Sequence, residues 1–142
     1  MNYSYKGKIL ISTPDISGDI FSRSVVIIVD HNHEGAFGLI LNKKNKNMSE
    51  RLHAIFGFAV DVYEGGPVEN DKIFFISKGK KITENFSEIS EEFYLTEDIE
   101  SVVTGMIEEQ ISVDEIKVFS GYSGWASKQL ESEVQRKMWT VV

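Results

Sequence analysis

At 142 residues, with 42% hydrophobic and 26% charged side chains, the chain has the size and composition of one globular domain, which excludes disordered and fibrous classes. It contains no cysteine, so disulfides, thiolate nucleophiles, iron–sulfur clusters and cysteine-built zinc sites are excluded. A net charge of −7 disfavours direct nucleic-acid binding, because neutralising phosphates normally supplies much of that affinity.

The opening Met1-Asn2-Tyr3-Ser4-Tyr5-Lys6 lacks a signal peptide's apolar core. Lys8-Ile9-Leu10-Ile11 predicts a strand, closed by a turn at Ser12-Thr13-Pro14-Asp15. Val25 to Val29 predicts a strand buried on both faces, since five β-branched residues in a row leave no polar side. This longest aliphatic run is too short to cross a bilayer, so a cytoplasmic protein without membrane contact is expected. Asp30-His31-Asn32-His33-Glu34-Gly35 has turn composition, and Ala36 to Leu41 returns as the second arm of a hairpin.

Ser49 can cap a short helix that carries Leu52, Ile55 and Phe56 and ends at Gly57. Val60 to Tyr63 leads into a turn at Gly65-Gly66-Pro67, Ile73 to Ile76 makes a further strand, and Lys78 to Lys81 a basic turn. Glu97 to Gln110 is the clearest helix: Ile99, Val102, Val103, Met106 and Ile107 recur at helical spacing after a Thr96 cap. Residues 82–116 hold eleven acidic side chains and no Lys or Arg, a surface for a basic partner or simply a solvated face. Ile116 to Phe119 is one more strand, Gly121 to Gly124 turns the chain into a final helix of about four turns, and Trp139 to Val142 begins a last strand. The expected architecture is one α+β domain over residues 1–142, a mixed sheet with helices packed on it.

Two glycines around Ser123 at a strand-to-helix junction would aim backbone amides at an anion. Gly121-Tyr122-Ser123-Gly124-Trp125 lacks the final glycine of a nucleophile elbow, so Ser123 reads as a helix cap or, less favourably, as a nucleophile. On the following helix Ala126, Leu130, Val134 and Met138 face the core, while Trp125, Gln129 and Glu133 share another face open to a ligand or tied to backbone. His31 and His33, with Asp30 and Glu34, have metal-ligand chemistry but the composition of an exposed tip, and His53 stands alone. No metal or cofactor is expected, and Gly65-Gly66-Pro67 lacks the spacing of a dinucleotide or phosphate loop.

Ser12-Thr13-Pro14-Asp15, Phe21-x-Arg23-Ser24-Val25-Val26, Asp30-His31 through Gly35-Ala36-Phe37-Gly38-Leu39-Ile40-Leu41-Asn42, Glu64-Gly65-Gly66-Pro67-Val68 and Gly121 to Glu133 resemble, in order, the bacterial YqgE/AlgH family. The resemblance implies a cytoplasmic bacterial protein whose coiled or bifurcated sheets are packed by helices. Members are often labelled transcriptional regulators, with no catalytic residues to carry over. The matching positions Arg23, Asn42, Gly121, Tyr122, Ser123, Gly124, Trp125, Gln129 and Glu133 form a candidate patch for a protein or small ligand, with Pro14, Gly38, Gly65, Gly66 and Pro67 as signature turns. Family chains usually run further, so the resemblance leads one to expect an unusually short or truncated member, without the family's final strand and helix. An uncovered last strand would then favour self-association. Phe75-Ile76-Ser77 stands where the family tends to have Leu-His, so no role can rest on that His. The expected function is regulation through binding at the 121–133 face, with a hydrolase using Ser123 or a His31/His33 metal, and direct DNA binding, as alternatives.

Overall fold

A computed structural model describes residues 4–14, 21–79, 81 and 83–142. Met1 to Tyr3 of the opening segment, Asp15 of the first turn and Lys80 of the basic turn lie outside the described residues.

The fold is α+β, a curled and largely antiparallel sheet with three helices among the described residues. Its strands are β1 (Ile9–Ser12), β2 (Val25–Asn32), β3 (Gly35–Ile40), β4 (Val62–Glu64), β5 (Val68–Lys78), β6 (Ser87–Glu88), β7 (Phe93–Thr96), β8 (Ile116–Ala126) and β9 (Trp139–Val141). The helices are α1 (Lys46–Phe56), α2 (Ile99–Ile107) and α3 (Gln129–Gln135). The order is β6-β7-β5-β8-β3-β2-β1-β9. The sheet divides at β8, whose first half pairs β5 and, in parallel, β4, and whose second half pairs β3.

Strand β2 shows why the sheet needs apolar residues on both sides. Val26 and Ile28 face one cluster, with Leu10, Ile40, Trp125, Leu130 and Trp139 under α3. Ile27 and Val29 face the opposite cluster, with Leu39, Phe74, Ile76 and Phe119. A third cluster joins Leu52 and Phe56 of α1 and Val102 and Met106 of α2 to Val62, Phe75 and Val118 on the sheet. The curl brings the entry to β1 against the segment after β6: a side chain at Gly7 would stand 3.2 Å from the Ile89 carbonyl.

Several local expectations are corrected. Gly121 to Gly124 does not start a helix; it continues β8 to Ala126, and α3 has seven residues, two turns instead of four. The two glycines and Ser123 look like punctuation, but the segment is held in the ladder by β3 on one side and by the Val68 pair at Tyr122. Helix α1 is capped by Asn45, which accepts the Met48 amide (3.0 Å), while Ser49 lies inside the helix and accepts the Val62 amide (2.8 Å). Gly57 does end α1, in the left-handed region at φ 83°. β2 runs through Asp30 and His31 with a bulge after Ile28, so the hairpin turn is shorter than composition suggests.

Helix α2 is capped by Asp98, not Thr96, which belongs to β7. The Asp98 carboxylate accepts the Ser101 hydroxyl (2.8 Å) and amide (3.1 Å) and the Asn85 amide (3.3 Å), and these bonds hold its carboxyl below the usual 3.8. Its folded-state value is depressed, so its stabilisation is present above the ordinary carboxylate range and is lost as pH falls through the folded value. Asp98→Asn is therefore expected to flatten the acid limb of a plot of Tm against pH between about 5 and 2, relative to the native chain.

Candidate functional site

The expected patch comes together only in part. Trp125 is buried, and its indole N–H donates to Glu133 Oε1 (3.0 Å). Trp139, absent from the candidate set, donates its own indole N–H to the same oxygen (2.9 Å). Gln129 donates to Glu133 Oε2 (2.9 Å) and accepts the Ala126 amide (2.9 Å). Phe21 lies against both indoles. The indole, amide and carboxylate thus bind one another and lock α3 onto β8 and β9.

Arg23 and Asn42 meet elsewhere, at the far end of the β2–β3 hairpin. Asn42 accepts the Val25 amide (3.0 Å) and donates to the Arg23 carbonyl (2.9 Å), pinning a residue whose φ of 52° is left-handed. The Arg23 side chain is exposed. Pro14 and Pro67 sit on exposed turns at strand ends.

The signature glycines answer a packing need. A Cβ at Gly66 would stand 2.1 Å from the Tyr122 carbonyl carbon, and one at Gly65 2.4 Å from the Gly121 oxygen. Gly121 itself has φ 70° and would meet the Gly66 oxygen at 2.6 Å. Gly38 leaves room for the Trp125 ring, 3.1 Å from where its Cβ would lie. These residues let two backbones touch where the sheet divides. Gly124, with only Tyr122 Cε2 at 3.8 Å, has space to spare.

Ser123 is not a helix cap. Its hydroxyl is fully buried and donates to the Gly65 carbonyl (3.0 Å), bracing the same junction. His31 is buried in β2 instead of lying at an exposed tip. Its Nδ1 accepts the Tyr5 amide (2.9 Å), its ring stacks on Tyr5, and Nε2 lies 3.3 Å from Glu131 Oε1. His33 and His53 are exposed. Among the described residues no three His, Asp or Glu side chains converge as metal ligands.

A site that the sequence did not reveal lies on the concave face of the sheet. A cleft of about 820 Å³ opens there, floored by Ile9, Ile27, Leu41, Ile76 and Phe93 around Tyr63 and Lys117. That volume falls in the range of small-molecule sites, which are largely apolar with a few placed polar groups. The Lys117 ammonium stands 4.1 Å from the centre of the Tyr63 ring, a cation–π contact. It has no carboxylate partner among the described residues, and burial pushes its pKa below 10.5. Nor does the Tyr63 hydroxyl have a hydrogen-bond partner among them. The carboxylates at the rim are engaged or exposed: Asp61 pairs with Lys44 (3.5 Å), Glu115 accepts the Ser112 amide (2.8 Å), and Asp114 is exposed. Tyr63 and Lys117 come from β4 and β8, which meet in parallel register with Tyr63 opposite Phe119, so nothing local in the sequence brings them together.

A family profile described as AlgH-like matches residues 9–142. A UPF0301 protein of Cytophaga hutchinsonii is 36% identical over 138 residues, covering 96% of this chain and 76% of that one. Another, from Chlamydia muridarum, is 36% identical over 140 residues, covering 94% and 72%. The solution structure of the AlgH protein from Pseudomonas aeruginosa superimposes with a TM-score of 0.78 at 25% identity, covering 98% of this chain and 77% of that one. A crystal structure of a Corynebacterium diphtheriae protein, 20% identical with a TM-score of 0.75 over 99% and 76%, shares the fold. Among the described residues no helix is long and apolar enough to cross a membrane.

Proposed function

This chain belongs to the AlgH-like family, and we propose that it is a binding protein that holds a small ligand in its concave cleft and exerts a regulatory effect in the bacterial cytoplasm through that occupancy. One observation carries the proposal: a largely apolar cleft of about 820 Å³, with the charged side chains of Asp61, Lys78, Asp114 and Glu115 in its lining, holds the Lys117 ammonium, engaged only by the Tyr63 ring, and a Tyr63 hydroxyl without a hydrogen-bond partner among the described residues. A few polar groups placed in a largely apolar recess are the usual make-up of a small-molecule site. The Gly121 to Glu133 segment serves this reading as scaffold, since Trp125, Gln129 and Glu133 bind one another. Hydrolysis through Ser123 has little to support it, because its hydroxyl is spent on the Gly65 carbonyl inside the fold.

A bulky residue in the cleft should block it. Leu41 lines the cleft and is half-buried, so Leu41→Trp is expected to weaken binding of the neutral dye Nile red about tenfold, read by fluorescence, with the circular dichroism spectrum unchanged. Equal dye binding by a folded Leu41→Trp chain would remove the cleft from consideration.

A further inference from the structure

We propose that the occupant of the concave cleft is an amphiphile with an anionic head, a carboxylate or phosphate monoester, whose head sits beside the Lys117 ammonium and the Tyr63 hydroxyl and whose alkyl body lies along Ile9, Ile27, Ile76 and Phe93. The inference rests on the cleft reading above and adds the chemistry of the ligand.

The Lys117 ammonium only donates, the Tyr63 hydroxyl can donate beside it, and Lys78 adds a second ammonium to the lining, so the charged groups favour an acceptor that is an anion. An anion beside them gains a charge-assisted bond from the ammonium and a second bond from the phenol, in a recess less polar than water. A cation would meet Lys117 at close range. The carboxylates in the lining are bound or open to water: Asp61 forms an exposed pair with Lys44, Glu115 accepts the Ser112 amide, and Asp114 is exposed. The volume asks for more than a head group, and the floor around Lys117 offers alkyl and aromatic surface. An inorganic anion would satisfy the donors but leave that surface wet. The Tyr63 ring holds the ammonium in place before the ligand arrives, which lowers the entropy lost on binding. Burial lowers the Lys117 pKa in the empty cleft, and an anion beside the ammonium reverses that shift.

The test uses the full chain, isotopically labelled, titrated with octanoate, octyl phosphate, 1-octanol and octylamine while amide and lysine side-chain resonances are followed by NMR. Octanoate or octyl phosphate should bind at least about tenfold more tightly than octanol, and octylamine more weakly than either acid. The two acids distinguish carboxylate from phosphate as the head. Lys117→Gln should remove the preference for acids, Lys117→Arg should retain it, and Tyr63→Phe should reduce it a few-fold, while all variants still bind octanol in the cleft. In the native chain the titration of Lys117 should move to higher pH with octanoate present. Octanol or octylamine binding as tightly as the acids overturns the anionic head and leaves the cleft intact. If no octyl probe perturbs a cleft resonance at millimolar concentration, the cleft reading itself fails.

Discussion

Replacing Glu133 with Ala is expected to lower stability by about 3 kcal/mol, because one carboxylate oxygen accepts both buried indole N–H groups, and bonds to charged acceptors contribute about 1.5–3 kcal/mol each. Trp125 is 6% exposed and Trp139 3%, so both indoles are anchored in the cluster around Leu10, Ile28 and Leu130 and lose a charged acceptor together. Glu133→Gln is expected to cost less. Its side-chain oxygen can still accept one or both indoles, but the NH₂ group then faces the Gln129 donor and the charge is gone. Urea denaturation monitored by tryptophan fluorescence checks both variants. An Ala variant within about 0.5 kcal/mol of the native chain would mean that the carboxylate does not hold the indoles.

Gly66→Ala should be at least as damaging, costing about 3 kcal/mol or more, the upper end for overpacking, because the added methyl meets backbone instead of a side chain that can swing away. Its three nearest atoms are the Tyr122 carbonyl carbon and oxygen and the Ser123 nitrogen, all within 2.4 Å. Relief would require moving the 65–68 segment off β8, where Ser123 bonds to Gly65 and Val68 pairs with Tyr122. Gly124→Ala, in the same strand, is the control and should stay within about 1 kcal/mol of the native chain. Thermal unfolding of the two variants side by side separates close backbone contact from a general dislike of side chains in β8.

The parts of the fold that could be read in advance were those where local pattern and tertiary role coincide. The β-branched run at Val25 to Val29 does line both faces of the sheet, and the stripe through Val102 and Met106 does meet the core. Gly121 to Gly124 misled because glycine marks both turns and close backbone approach, and only the second applies here. Strand β6 escaped notice because Ser87 and Glu88 are exposed edge residues in an acidic stretch without alternation, and β7 because its four residues, Phe93 to Thr96, run straight into the start of α2. Trp125, Gln129 and Glu133 do meet, but not as one helix face: Trp125 lies in β8, before α3 begins, and reaches Glu133 from the strand. Their mutual bonding depends on Trp139, whose link to Glu133 follows from β9 joining β1 and from no local spacing. The cleft was least legible, since it joins residues of β1, β2, β4, β5, β7 and β8 only after the sheet has curled.

The most direct measurement of ligand binding on the concave face is an amide chemical-shift map of the labelled full chain with octanoate. Perturbations centred on Tyr63, Lys117, Ile76 and Phe93, and absent in a folded Leu41→Trp chain, are the expected result. Perturbations centred on Gln129 to Glu133, with the concave face silent, would contradict the account and move the site to α3.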